Sequence, residues 1–106
     1  VIKKGEHGAL MFESGKRFFA PAYPLDEVVD PTGAGDTFAG GFIGLLASKN
    51  STGWEQKKQA IVAGAVLASF TCEEFGTKRL AELTTSDWQE RLKNLQEMSK
   101  AEPLFL

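Results

Sequence analysis

Asp30-Pro31-Thr32-Gly33-Ala34-Gly35-Asp36-Thr37-Phe38-Ala39-Gly40-Gly41-Phe42 joins a glycine-rich turn to an apolar-periodic segment, with a carboxylate at the joint. Gly33 and Gly35 flank a single alanine. A loop entering a helix here would bring the backbone N–H groups of Gly33, Ala34, Gly35 and Asp36 together, with no bulky side chain in the way. Such a nest binds anions, and the positive end of the helix dipole adds to the attraction. A carboxylate in an anion site repels its ligand unless it has a role there. Asp36 is suited to take a proton from a hydroxyl that attacks a phosphate. As a plain helix start, Asp36 is a favourable charge in the first turn, a reading that covers the glycines but not the pairing of Asp36 with Asp30.

Downstream, apolar periodicity predicts a helix from about Ala34 to Ser48, with Phe38, Phe42, Leu45 and Leu46 on one stripe. Gly40, Gly41 and Gly44 each disfavour it by about 1 kcal/mol relative to Ala, so close packing against a neighbour is expected to offset them. Asn50-Ser51-Thr52-Gly53 reads as a loop, and Thr52 with Glu55 forms a capping-box pattern for a second helix ending near Phe70. Thr77 to Leu83 suggests one or two helical turns. Ser86-Asp87-Trp88-Gln89 is a second capping-box pattern, followed by Trp88, Leu92 and Leu95 at helical spacing, with Glu90, Arg91, Lys93, Asn94 and Glu97 as a solvated face.

Upstream, Val1 to Lys4 reads as a strand that breaks at Gly5. Ala9 to Glu13 and Arg17 to Ala22 form a predicted hairpin about Ser14-Gly15-Lys16, ended by Pro21 and Pro24. Val28-Val29 is a short apolar approach that would place Asp30 to Asp36 at the carboxyl end of a strand, where open α/β sheets put their ligands.

The 106 residues fit one domain at most, and 42% apolar content supports a modest core. A net charge of −2 gives no basic footprint, so a nucleic-acid partner is not expected. Cys72 is the only cysteine and has no partner for an internal disulfide, which suits a reducing, cytoplasmic setting. The longest apolar run, about Ala60 to Phe70, is too short to span a bilayer. No secretory leader is visible. His7 has no second His or Cys/His cluster near it in sequence and reads as a loop residue.

Asp30-x-Thr32-Gly33-Ala34-Gly35-Asp36-Thr37-Phe38-x-Gly40-Gly41-Phe42 resembles the C-terminal signature of the ribokinase, or PfkB, family of sugar and nucleoside kinases. The resemblance implies a ribokinase-like three-layer α/β/α fold, of which this chain would be the C-terminal part, following a lid and most of the sheet. It implies that Gly33, Ala34 and Gly35 form an anion hole and that Asp36 is the catalytic base for ATP-dependent phosphorylation of a sugar or nucleoside. Lys3-Lys4-Gly5-Glu6-His7-Gly8 is similar to the family's strand-end loop beside the ATP phosphates and ribose, which makes Lys3, Gly5, Glu6 and Gly8 nucleotide-contact candidates beside Gly35. A plain turn is the alternative there. Val62, Ala63 and the stretch from Phe70 to Gly76 match positions bordering the adenine, or are ordinary core. Asp30 and Thr32 match ligand positions for a monovalent cation such as K⁺, and Mg²⁺ is expected to arrive with ATP.

The acidic, aromatic run Phe70-Thr71-Cys72-Glu73-Glu74-Phe75-Gly76 departs from the ribokinase pattern and leaves the remaining cation ligands open. A non-catalytic nucleotide-binding module or regulatory homologue is the competing reading, against which the intact Asp36 counts. The fragment alone is expected to lack turnover, and an open first-strand edge is expected to favour self-association or a homodimer.

Overall fold

The computed structural model describes residues 1–25, 28, 31–73 and 83–98. Three antiparallel strands, β1 (Ile2–Lys3), β2 (Ala9–Glu13) and β3 (Lys16–Ala20), lie in the order β1-β2-β3. Among the described residues three α-helices follow: α1 (Ala34–Lys49), α2 (Trp54–Thr71) and α3 (Thr85–Met98). The α/β class is as the sequence indicates.

The hairpin forms where predicted, with a tighter turn. Lys16 pairs with Glu13, leaving only Ser14 and Gly15 at the corner, both with positive φ. That is the two-residue geometry whose twist matches flanking strands. Period-two alternation turns Ala9, Met11 and Ala20 into the core, while Phe12, Phe19 and, on β1, Ile2 stay exposed on the opposite face. Between Ala20 and Pro31 no described residue is in a strand, and most of the expected Val28-Val29 approach to Asp30 lies outside the described residues. Val28 is exposed, and Asp26, Glu27, Val29 and Asp30 lie outside the described residues.

The helical pair α1–α2 forms the largest interface between described elements. Phe38 and Ile61 join Ala9, Met11 and Ala20 in one buried cluster, with Phe18, Phe42 and Trp54 packed around it. The closest approach is glycine on glycine. A Cβ on Gly41 would lie 3.0 Å from the Gly64 Cα, and one on Gly64 would lie 2.7 Å from the Phe38 carbonyl oxygen. Of Gly40, Gly41 and Gly44, only Gly41 is needed for packing, since a Cβ on Gly40 or Gly44 would meet nothing within 4 Å.

Both capping assignments are corrected. Gly53, in extended conformation and without a side-chain cap, occupies the N-cap of α2 in place of Thr52. At α3 the reciprocal pair is Thr84 and Asp87: the Asp87 amide donates to Thr84 Oγ1 at 3.1 Å and the Thr84 amide to Asp87 Oδ2 at 3.2 Å. Aspartate at the third position thus takes the place of the usual Glu or Gln. The turns expected from Thr77 to Leu83 lie, apart from Leu83, outside the described residues.

Leu95 packs with Val66 and Phe70, flanked by Trp88 and Leu92, as the spacing indicated. Arg91 does not belong to the solvated face. Its side chain is 14% exposed, and its guanidinium lies 3.8 Å from the Phe70 ring centroid and 4.8 Å from that of Tyr23.

The glycine seam makes a paired prediction. Gly64→Ala should destabilise the chain by about 1–3 kcal/mol through overpacking, whereas Gly40→Ala should stabilise it by roughly 0.5–1 kcal/mol through helix propensity. Urea unfolding of the two variants reads the difference directly, and equal midpoints would mean that the helices do not meet at this seam.

Candidate active site

The corner where β1 meets the first turn of α1 brings together the two segments singled out from sequence. Gly33 is the α1 N-cap, with φ +81° and ψ −3° in the left-handed region and no side-chain cap. A residue with a Cβ is strained there. Its carbonyl accepts the Thr37 amide at 2.9 Å and the Thr37 hydroxyl at 3.0 Å. The Ala34 amide donates to the Pro31 carbonyl at 3.1 Å, so one of the four amides expected in the nest is already engaged. Helix geometry gives the Gly35 and Asp36 amides no acceptor within α1, because the first-turn donors lack a carbonyl four residues back. Both residues are exposed.

Lys3 reaches this corner from β1. Its Nζ donates to the Gly35 carbonyl at 3.3 Å and lies 5.9 Å from the Phe38 ring centroid. An ammonium group therefore stands beside the positive end of α1. Asp36 is exposed in the first turn, and among the described residues its carboxylate has no hydrogen bond or ion pair. A flexible cation, two outward amides and a solvent-facing carboxylate share one helix start, a set able to bind an anion and accept a proton.

Other sequence candidates are placed differently. Gly5, Glu6 and His7 form a 3-10 turn. Gly5 is open to solvent, but Gly8 is buried, and a Cβ there would lie 2.4 Å from the Ala20 carbonyl oxygen. Gly8 is thus explained by packing within the sheet. Val62 packs in both apolar clusters and Ala63 is buried, a placement that ordinary core residues would share. Thr32 is exposed in the turn before α1, and its proposed co-ligand Asp30 lies outside the described residues. Among the described residues no three His, Cys, Asp or Glu side chains are grouped to hold a metal ion. None of the described helices is long and apolar enough to cross a membrane.

A feature the sequence reading passed over closes the corner from behind. The Thr71 hydroxyl, on the last residue of α2, donates to Thr37 Oγ1 at 3.0 Å. In sequence, Thr71 is only one member of the stretch from Phe70 to Gly76.

The family model described as pfkB family carbohydrate kinase matches residues 1–84, and the chain belongs to that family. Cytidine kinase of Thermococcus kodakarensis is 53% identical over 45 residues, which is 41% of this chain and 16% of that protein. Nucleoside kinase of Methanocaldococcus jannaschii is 32% identical over 76 residues, 72% of this chain and 24% of its own length. Aminoimidazole riboside kinase of Salmonella typhimurium is 32% identical over 92 residues, 87% of this chain and 27% of its own length. The chain thus spans about a quarter or less of these relatives.

Solved structures agree with the fold. The M. jannaschii nucleoside kinase, described as an archaeal member of the ribokinase family, superposes with a TM-score of 0.66 at 28% identity, covering 90% of this chain and 29% of that one. Aminoimidazole riboside kinase from Salmonella enterica gives a TM-score of 0.71 at 30% identity, covering 86% of this chain and 29% of its own.

If Lys3 meets a phosphate at this corner, Lys3→Met should weaken ATP binding about tenfold, the worth of one charge-assisted hydrogen bond at a partly solvated site. Titration with ATP measures it, and an unchanged dissociation constant would leave Lys3 as a purely structural contact to Gly35.

Proposed function

We propose that residues 1–106 form the C-terminal, nucleotide-side part of an ATP-dependent kinase that phosphorylates a hydroxyl of a riboside. The observation that carries this reading is the convergence of Lys3, the amides at the start of α1 and the exposed Asp36 on one corner. Riboside is preferred over free sugar as the acceptor because the three relatives above are named for cytidine, nucleoside and aminoimidazole riboside.

In this mechanism the Gly33-Ala34-Gly35 turn and the amides that follow hold the γ-phosphate, with Lys3 offsetting its charge. Asp36 takes the proton of the acceptor hydroxyl as its oxygen attacks the γ-phosphorus. The bond from that phosphorus to the β,γ-bridging oxygen breaks, and the electron pair leaves with ADP. Positioning and fixed dipoles supply most of the rate in such transfers. Mg²⁺, when bound with ATP, would neutralise phosphate charge and be held mainly by phosphates and water, which suits a corner with a single described carboxylate. Asp30 and Thr32 are proposed as oxygen ligands to a monovalent cation beside the loop.

Asp36→Asn, made in the polypeptide carrying these residues, should lower kcat by about 10²–10⁴-fold while leaving ATP affinity equal or tighter, since a general base is lost and a repelling charge removed. Near-normal turnover with a panel of ribosides would overturn the assignment, and ATP binding without turnover by the unmodified protein would favour the non-catalytic module. Replacing K⁺ with tetramethylammonium at constant ionic strength should lower activity, because the larger ion cannot accept close oxygen ligands. An unchanged rate would remove Asp30 and Thr32 from the ligand set.

A further inference from the structure

We infer that Thr71 is a positioning residue for the proposed anion nest, and that Arg91 holds Thr71 in place from α3. This rests on the function proposed above and adds to it a chain of contacts running from α3, through the end of α2, to the start of α1.

The chain begins at Gly33. Its carbonyl belongs to the peptide unit that opens α1, and it accepts two bonds from Thr37, one from the amide and one from the hydroxyl. A hydroxyl that donates its only proton to Gly33 can accept one from elsewhere, and Thr71 supplies it at 3.0 Å. Thr71 is 4% exposed, so its hydroxyl has little access to water, and losing the bond leaves a buried group unsatisfied. The hydroxyl series therefore fixes the orientation of the Gly33 peptide and, with it, the direction of the amides that follow.

Arg91 grips the residues on either side of Thr71. Its Nη1 donates to Ser69 Oγ at 3.0 Å, its Nη2 donates to Glu73 Oε2 at 3.1 Å, and its plane lies over Phe70. A guanidinium can stack and donate in several directions at once, which a lysine cannot. Thr71 is buried and Arg91 lies on α3, and both are assigned to act through Thr37 and Gly33.

The test compares Thr71→Val, which keeps the shape and removes the donor, with Thr71→Ser, which keeps the donor. Both are made in the polypeptide carrying these residues, and unfolding midpoints are measured alongside kinetics. Thr71→Val should lower kcat about tenfold, with the acceptor KM nearly unchanged, and Thr71→Ser should restore most of the loss. Amide hydrogen exchange at Thr37 should accelerate about tenfold in the valine variant only. Adding Thr37→Val to Thr71→Val should cost no more than the larger single effect, because the two hydroxyls act in series. Additive losses, or a serine variant as impaired as the valine, would overturn the inference.

If the valine variant does not fold, Arg91→Lys takes its place. It should lower kcat and speed exchange at Thr37 in the same sense, and an unchanged exchange rate would overturn the α3 link. The exchange readout does not depend on turnover. Loss of the nest reading through Asp36→Asn is therefore distinguishable from loss of the hydroxyl series.

Discussion

The contact of Gly41 with Gly64 sets the distance between α1 and α2, and most of what surrounds it follows from that distance. With a Cβ on either residue the helices would stand further apart. Phe38 would then leave the cluster it shares with Met11 and Ile61, and the hydroxyls of Thr37 and Thr71 would no longer meet. One pair of missing side chains joins the apolar core to the polar corner. The cost of glycine within a helix is offset here by dispersion contacts that only a backbone-to-backbone approach permits.

The architecture was largely legible because periodicity reports which face of an element is apolar. The hairpin from Ala9 to Ala20, the helix stripe through Phe38 and Phe42, and the spacing of Leu92 and Leu95 all appear where the pattern put them. What failed was local and depended on neighbours distant in sequence. Gly40, Gly41 and Gly44 looked equivalent, and only the partner helix distinguishes Gly41 from the other two. Arg91 sits among charged residues in sequence, yet Tyr23 and Phe70 take its guanidinium between them. The cap of α3 uses Asp87 where the usual capping box has Glu or Gln.

At the site, the glycine loop and Asp36 announced themselves because a carboxylate just after a glycine-rich turn at a helix start is chemically odd. Lys3 was legible only as part of a loop that resembles a family segment, and its approach to Gly35 spans 32 positions. The Thr71 bond spans 34 positions and leaves no periodic trace. Threonine at the end of a helix is ordinary in composition, and its importance comes wholly from what the α1–α2 packing sets opposite it.

The meeting of Lys3 with the start of α1 has a consequence for the strand that carries it. The ammonium and the helix terminus are alike in sign, and the ammonium meets the Gly35 carbonyl and the Phe38 ring there. β1 is two residues long, Ile2 and Lys3, and among the described strands it pairs on one side only, with β2. If an anion enters the corner as proposed above, repulsion becomes a bridge, and the ligand itself would clasp the strand to the helix. Occupancy and attachment of β1 are then one equilibrium seen from two sides, in which multivalent anions tighten the edge of the sheet and low ionic strength loosens it.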